Sequence, residues 1–153
     1  FLSRTKSLDS VLYATDFQAT DAKVIPYLRN KDFQARTLFI LHVGERAPDP
    51  VTEKTRRKRV LENLRRLATA CSHAYEQVKL RELVGSVRRQ IVAHARKLGV
   101  DLIVIGKADT PDMLEKLAGS TAEYLPHRAP CSVFILPSNT SEDGAAAPKK
   151  VVA

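Results

Sequence analysis

The residues best suited to chemistry lie in the stretch DLIVIGKADTPDMLEKLAGST, residues 101–121. An apolar run stops at Gly106, a polar loop follows, then a short helical pattern, then Gly119, Ser120 and Thr121. The N–H groups that open a helix have no intrahelical partner and carry partial positive charge, so such a start can hold a phosphate. Glycine lets the backbone approach closely. Where a phosphate loop would take a further glycine the chain has Asp109, with Lys107 two residues before it. The chemistry on offer is anion binding, with one carboxylate set among the groups that would perform it.

Each of these residues also has a structural reading. Ser120-Thr-Ala-Glu123 fits a capping box, in which the serine hydroxyl bonds the third helical N–H and Glu123 reaches back. The two roles are compatible, because Gly119 and Thr121 can offer backbone N–H groups while Ser120 caps. Asp16, after the first apolar run, can contact a ligand or cap the helix that follows it. The cluster EKTRRKR, residues 53–59, with Arg65 and Arg66 beyond, reads as a nucleic-acid patch or a solvated helix face. No aromatic residue interleaves it, so bases have nothing to stack on, and the solvated face is favoured.

Catalysis has little support. There is no Gly-x-Ser-x-Gly elbow and no Gly-x4-Gly-Lys-Ser/Thr loop. Ser120 has no evident base. His42, His73, His94 and His127 form no metal-ligand spacing, and His42 reads as packing at a strand end. Cys71 falls on a helical stripe and Cys131 opens a strand; both read as reduced core thiols, which makes the expected compartment cytoplasmic. The formal net charge of +8 on 153 residues favours an anionic partner without choosing one. No apolar run is long enough for a membrane span.

These residues must be positioned by a framework, and the framework is readable. SVLYAT (10–15), TLFILHV (37–43), QVKLRELV (77–84), DLIVIG (101–106) and CSVFILP (131–137) read as strands, the third exposed near a sheet edge. Between them lie a helix with Ala22, Ile25 and Leu28 inward and Pro26 as a kink, and a long helix over 53–76 with the stripe Val60, Leu64, Leu67, Cys71 and Ala74. A third helix has Val87, Ile91, Ala95 and Leu98 inward. Ser86 is its predicted cap and Gly99 its left-handed stop. STAEYLPHR is a fourth, short helix. Gly44, Pro48 and Pro50 read as loop breakers. Alternating strands and helices predict a five-stranded parallel α/β sheet covered on both faces. In such a sheet ligands bind beyond the carboxyl ends of the strands, where Asp16, His42, Val43 and Gly106 fall.

At this point the chain resembles the universal stress protein family. That family carries a Gly-x2-Gly-x9-Gly-Ser/Thr loop after its fourth strand, and Gly106-Lys-Ala-Asp109, nine residues, then Gly119-Ser120-Thr121 keeps its spacing with one glycine replaced. VLYATDF, LFILHV and CSVFILP resemble its first, second and fifth strands. The resemblance spans residues 8–137, leaving 1–7 as an N-terminal flank and 138–153 as a tail whose composition predicts disorder. It implies the strand order 3-2-1-4-5 of a Rossmann-like fold and an adenine-nucleotide site, for ATP or AMP. The implied contacts are Ala14, Thr15, Asp16, Val43, Ile105, Gly106, Lys107, Asp109, Gly119, Ser120 and Thr121. Asp16 would meet the ribose and adenine, and Val43 would pack on the adenine. Two departures bear on this. Asp109 would sit beside the phosphates, repelling them or helping to hold an accompanying Mg ion, with Lys107 acting the other way. Ala14 stands where the family's nucleotide binders often have proline. The resulting expectation is a nucleotide-binding stress or regulatory protein, at most a slow ATP hydrolase.

The last predicted strand carries Val133, Phe134, Ile135 and Leu136 without a charge. An open edge of this kind invites a second strand. The expectation is a homodimer centred on Val133, Phe134 and Ile135, with a folded-back tail as the other way to cover the edge. Two further functions stay open on sequence alone. One is a nucleotide-free dimeric regulatory or interaction domain, alone or beside a transporter or kinase; the other is weak nucleic-acid binding through residues 53–66.

Overall fold

The computed structural model describes residues 8–18, 20–30, 35–107, 121–137 and 149–151. Five parallel strands form the sheet: β1 (Leu8–Ala14), β2 (Ala35–Gly44), β3 (Gln77–Val84), β4 (Leu102–Lys107) and β5 (Ser132–Pro137). The helices are α1 (Thr20–Leu28), α2 (Pro50–Cys71), α3 (Val87–Leu98) and α4 (Thr121–Arg128). A sixth strand, β6 (Lys149–Val151), pairs antiparallel with β5, so the order is β3-β2-β1-β4-β5-β6.

Alternation along the strands divides the core in two. Val11, Tyr13, Leu38, Ile40, Val104, Phe134 and Leu136 point to one face and pack against α1 and α2 through Val24, Leu28, Val60, Leu64 and Cys71. Leu12, Phe39, Leu41, Val43, Ile103, Ile105, Val133 and Ile135 point to the other and meet α3 and α4 through Ile91, Val92, Ala95 and Leu125. Strands that are apolar on both faces are what a parallel sheet covered on both sides requires. No helix among the described residues is long and apolar enough to cross a membrane.

Several local expectations change. In α1 the buried positions are Thr20, Val24 and Leu28 at a spacing of four, while Ala22 is exposed. Helix α2 begins at Pro50, not 53: Asp49 caps it by accepting from the Thr52 N–H at 2.8 Å, and Pro50 occupies the first turn, where its missing N–H costs nothing. Its α-helical part stops at Cys71, and Ser72–Ala74 continue as a 3₁₀ turn. Ser86 makes no side-chain cap and Val87 is exposed, but Gly99 does end α3 at φ 65°.

Composition predicts disorder from residue 138 onward, yet residues 149–151 form β6. The reason is that strand pairing rests on main-chain groups, which any non-proline sequence supplies. The open edge of β5 thus finds its partner within the chain. Val133, Phe134 and Ile135 are moreover core residues, buried on the two faces of the sheet. What β5 offers at its edge is its backbone, not those side chains.

The loop before α2 is pinned by Glu53, which accepts from the Ala47 N–H at 2.7 Å and from Arg56. These hydrogen bonds, that of Arg56 first, hold its carboxyl down at about 2. Because the folded value lies below the unfolded one, ionised Glu53 favours the fold above its ordinary pKa of 4.5, and that contribution fades as pH falls toward about 2. A carbon-detected NMR titration of Glu53 is expected to show a midpoint near that lower value. A midpoint at 4.5 would mean that the pinning is absent in solution.

Candidate functional site

The carboxyl ends of β1, β2 and β4 converge where the chain order reverses, since β2 lies on one side of β1 and β4 on the other. Ala14 is level with Leu41 on β2 and Ile105 on β4, and the Thr15 N–H continues the ladder to the Leu41 carbonyl at 2.9 Å. Asp16 then leaves the sheet. Its Oδ1 accepts from the Gln18 N–H at 3.0 Å, an Asx turn, and the side chain is exposed. Oδ2 has no hydrogen-bond partner among the described residues and faces solvent. The sequence left Asp16 either capping or contacting a ligand; one oxygen turns the loop, and the other is bonded by no described residue.

The loop after Asp16 is held hard. Phe17 has φ 60°, an uncommon conformation for a residue with a side chain. Its N–H donates to Thr15 Oγ1 at 2.9 Å, and its ring stacks on His42 with centroids 4.3 Å apart. His42 Nδ1 lies 2.9 Å from the Thr15 carbonyl, which can only accept, so the proton sits on Nδ1. Beneath the loop, Asp21 Oδ1 accepts from Thr15 Oγ1 at 2.7 Å and from the Tyr13 hydroxyl. Burial pushes the Asp21 carboxyl above its ordinary value, against the pull of those two donors, and burial raises Tyr13 as well. Tyr13, Thr15, Phe17, Asp21 and His42 together give the loop a fixed shape. Sequence alone does not point to Tyr13, Phe17 and Asp21, because their partners lie on neighbouring elements; the acid in the first turn of α1 is the only visible signal.

Two sides of the edge differ. Ala14, Val43 and Ile105 belong to the face packed by α3 and α4, with Val43 and Ile105 buried. Thr121 opens α4 on that face. His42, Phe17 and Gly106 lie on the α1 side. A Cβ at Gly106 would stand 3.0 Å from Thr20 Cβ and 3.3 Å from Val24 Cγ2, so this glycine lets α1 pack close to β4. Lys107 ends β4. Asp109, Gly119 and Ser120 lie outside the described residues.

No cluster of His, Cys, Asp or Glu suited to a metal occurs among the described residues. Cys71 and Cys131 are free, and burial pushes both thiols up to about 11, so they stay protonated and unreactive at neutral pH. A separate open groove of about 690 Å³ runs between residues 46–50 and α2.

Residues 8–137 match the universal stress protein family. Solved structures share the fold over nearly their whole length. One is a universal stress protein in complex with cAMP, 20% identical, with a TM-score of 0.66 over 86% of this chain and 98% of that one. Another is the protein MJ0577, 24% identical, with a TM-score of 0.68 over 88% and 99%. A third is a universal stress protein family protein from Arabidopsis thaliana with AMP bound, 13% identical, with a TM-score of 0.58 over 90% and 99%. No curated protein matches the chain significantly.

Proposed function

Because the chain belongs to the universal stress protein family, we propose that it binds an adenine nucleotide, ATP or AMP, at the carboxyl edge of β1, β2 and β4 and acts as a binding protein in stress response or regulation. The observation that carries this is Asp16: an exposed carboxylate on a loop at the point where strand order reverses, with one oxygen unbonded by any described residue. Two relatives of the same fold hold cAMP and AMP.

In this reading Asp16 accepts from ribose hydroxyls. Ala14, Val43 and Ile105 form the wall against which the base lies, and Thr15 holds the loop that joins this wall to Asp16. Gly106, Lys107 and the run Gly119, Ser120 and Thr121 receive the phosphates through backbone N–H groups, a hydroxyl and the Lys107 ammonium. Asp109 is the discordant residue. A carboxylate a few ångströms from a triphosphate costs on the order of 1 kcal/mol or more in partly shielded surroundings. The proposal is tested by calorimetry with ATP on the whole chain and on the Asp109→Gly variant. The unmodified chain is expected to bind, and the variant to bind about tenfold more tightly, equivalent to about 1.4 kcal/mol. Weaker binding by the variant would make Asp109 a ligand, acting through Mg. No binding by either would remove the nucleotide reading.

We further propose that the chain self-associates through the β5 edge only where β6 has left it, since one edge cannot pair with two strands at once. A chain ending at Pro137 is expected to sediment as a dimer at tens of micromolar and the full chain as a monomer. A truncated chain that remains monomeric would refute pairing through β5.

A further inference from the structure

The groove beside α2 is lined by both apolar and cationic residues. Its floor is apolar: Ala47, Pro48, Pro50 and Leu61. Its rim is cationic: Arg46, Lys54, Arg57, Lys58 and Arg65. Two acids also line it, and both are already engaged. Asp49 accepts from the N–H and the hydroxyl of Thr52, each at 2.8 Å. Glu53 is bonded by Ala47 and Arg56. Arg57 reaches Glu82 at 3.2 Å. Lys54, Lys58 and Arg65 make no ion pair with any described residue, so their charge faces the groove uncompensated.

The groove is also built rather than incidental. Pro48 and Pro50 fix their own φ angles. Asp49 caps α2, and the Glu53 bond to Ala47 ties the loop to the first turn. Arg56, four-fifths buried, links that turn to Glu82 on β3 at 2.9 Å. A concavity held in this way loses little conformational freedom when something enters it, which favours binding.

The spacing of the cations narrows what can enter. Lys54, Lys58, Leu61 and Arg65 follow one another at steps of four, three and four along one face of α2. At 1.5 Å per residue they span about 16 Å. A compact anion such as free phosphate would meet only one or two of them. Nucleic acid could satisfy the charges, but the groove offers no aromatic platform for bases, and its apolar floor has no use for a sugar–phosphate chain. An extended or helical peptide meets both requirements, with carboxylates toward the rim and aliphatic side chains on Leu61 and the prolines.

We propose that this groove is a docking site for an acidic, leucine-bearing peptide segment of a partner protein. The groove shares no lining residue with the proposed nucleotide contacts, and the proposal does not rest on them. The test uses a fluorescein-labelled twelve-residue peptide alternating glutamate pairs with leucine, titrated with the full chain at about 150 mM salt, where screening confines charge interactions to about 8 Å. Binding is expected to weaken at least tenfold when serine replaces leucine in the peptide. The same loss is expected for the double variant Lys58→Glu, Arg65→Glu, with circular dichroism confirming its fold. The equal charge change Arg96→Glu, Lys97→Glu, on the exposed end of α3, should leave affinity unchanged. Four outcomes would overturn the proposal: no binding, indifference to the leucines, an equal loss from the α3 variant, or tighter binding of a twelve-residue oligothymidylate than of the peptide.

Discussion

Gly106→Ala will destabilise the protein by about 1–3 kcal/mol, the usual cost of forcing a methyl group into a packed interior. The added Cβ would meet Thr20 Cβ at 3.0 Å, Thr20 Oγ1 at 3.3 Å and Val24 Cγ2 at 3.3 Å. Thr20 and Val24 are buried in the first two turns of α1, and the Thr20 Cβ is fixed by the helix backbone. The helix must therefore move away from β4, which loosens the loop that carries Asp16. Urea unfolding of the variant, without ligand, is expected to show a lower midpoint at unchanged slope. Unchanged stability combined with lost ATP binding would mean that this glycine serves the ligand and not the packing.

Asp16→Ala will act in the opposite manner, on binding and hardly on stability. The side chain is exposed, and its one structural bond closes a short turn onto Gln18. A hydrogen bond to a charged group contributes about 1.5–3 kcal/mol, so losing the ribose contact should weaken ATP binding by roughly tenfold to a hundredfold. Asp16→Asn keeps the turn and an acceptor and should fall between the two. The loop itself should stay in place, because Thr15, Asp21, Tyr13 and His42 hold it independently. If calorimetry gives Asp16→Ala the affinity of the unmodified chain, the ribose lies elsewhere.

The sheet was legible because a buried parallel strand needs apolar residues on both faces. Runs such as LFILHV and LIVIG are too short to cross a membrane as helices and have no other ready explanation. The long stripe of α2 was legible for the same reason. What escaped reading depended on contacts between elements. The inward face of α1 could be taken as Ala22, Ile25 and Leu28 only by counting apolar side chains. Thr20 is buried instead, because Gly106 leaves room for it on the neighbouring strand. Pro48 and Pro50 read as breakers, whereas Asp49 between them caps the helix that Pro50 begins. β6 escaped because three residues that pair by backbone leave no trace in hydropathy.

The candidate site divides in the same way. Asp16, Val43 and Gly106 were readable from their position at the ends of apolar runs, whereas Ile105 entered only through the family resemblance. The Tyr13–Asp21–Thr15 cluster joins residues eight and six apart across a strand, a loop and a helix, so no linear pattern announces it. The groove beside α2 was visible only as a run of cations. Its apolar floor comes from a loop folded against the helix by Glu53.

An adenine nucleotide seated at the carboxyl edge of β1, β2 and β4 would perturb the amides that surround it. The most direct test follows backbone amides of the full chain by two-dimensional NMR as ATP is added. Saturable shifts are expected at Ala14, Thr15, Asp16, Val43, Gly106 and Thr121, with the amides of Arg46 to Arg65 little changed. Saturable shifts confined to Arg46 to Arg65, with the edge unmoved, would contradict that seating.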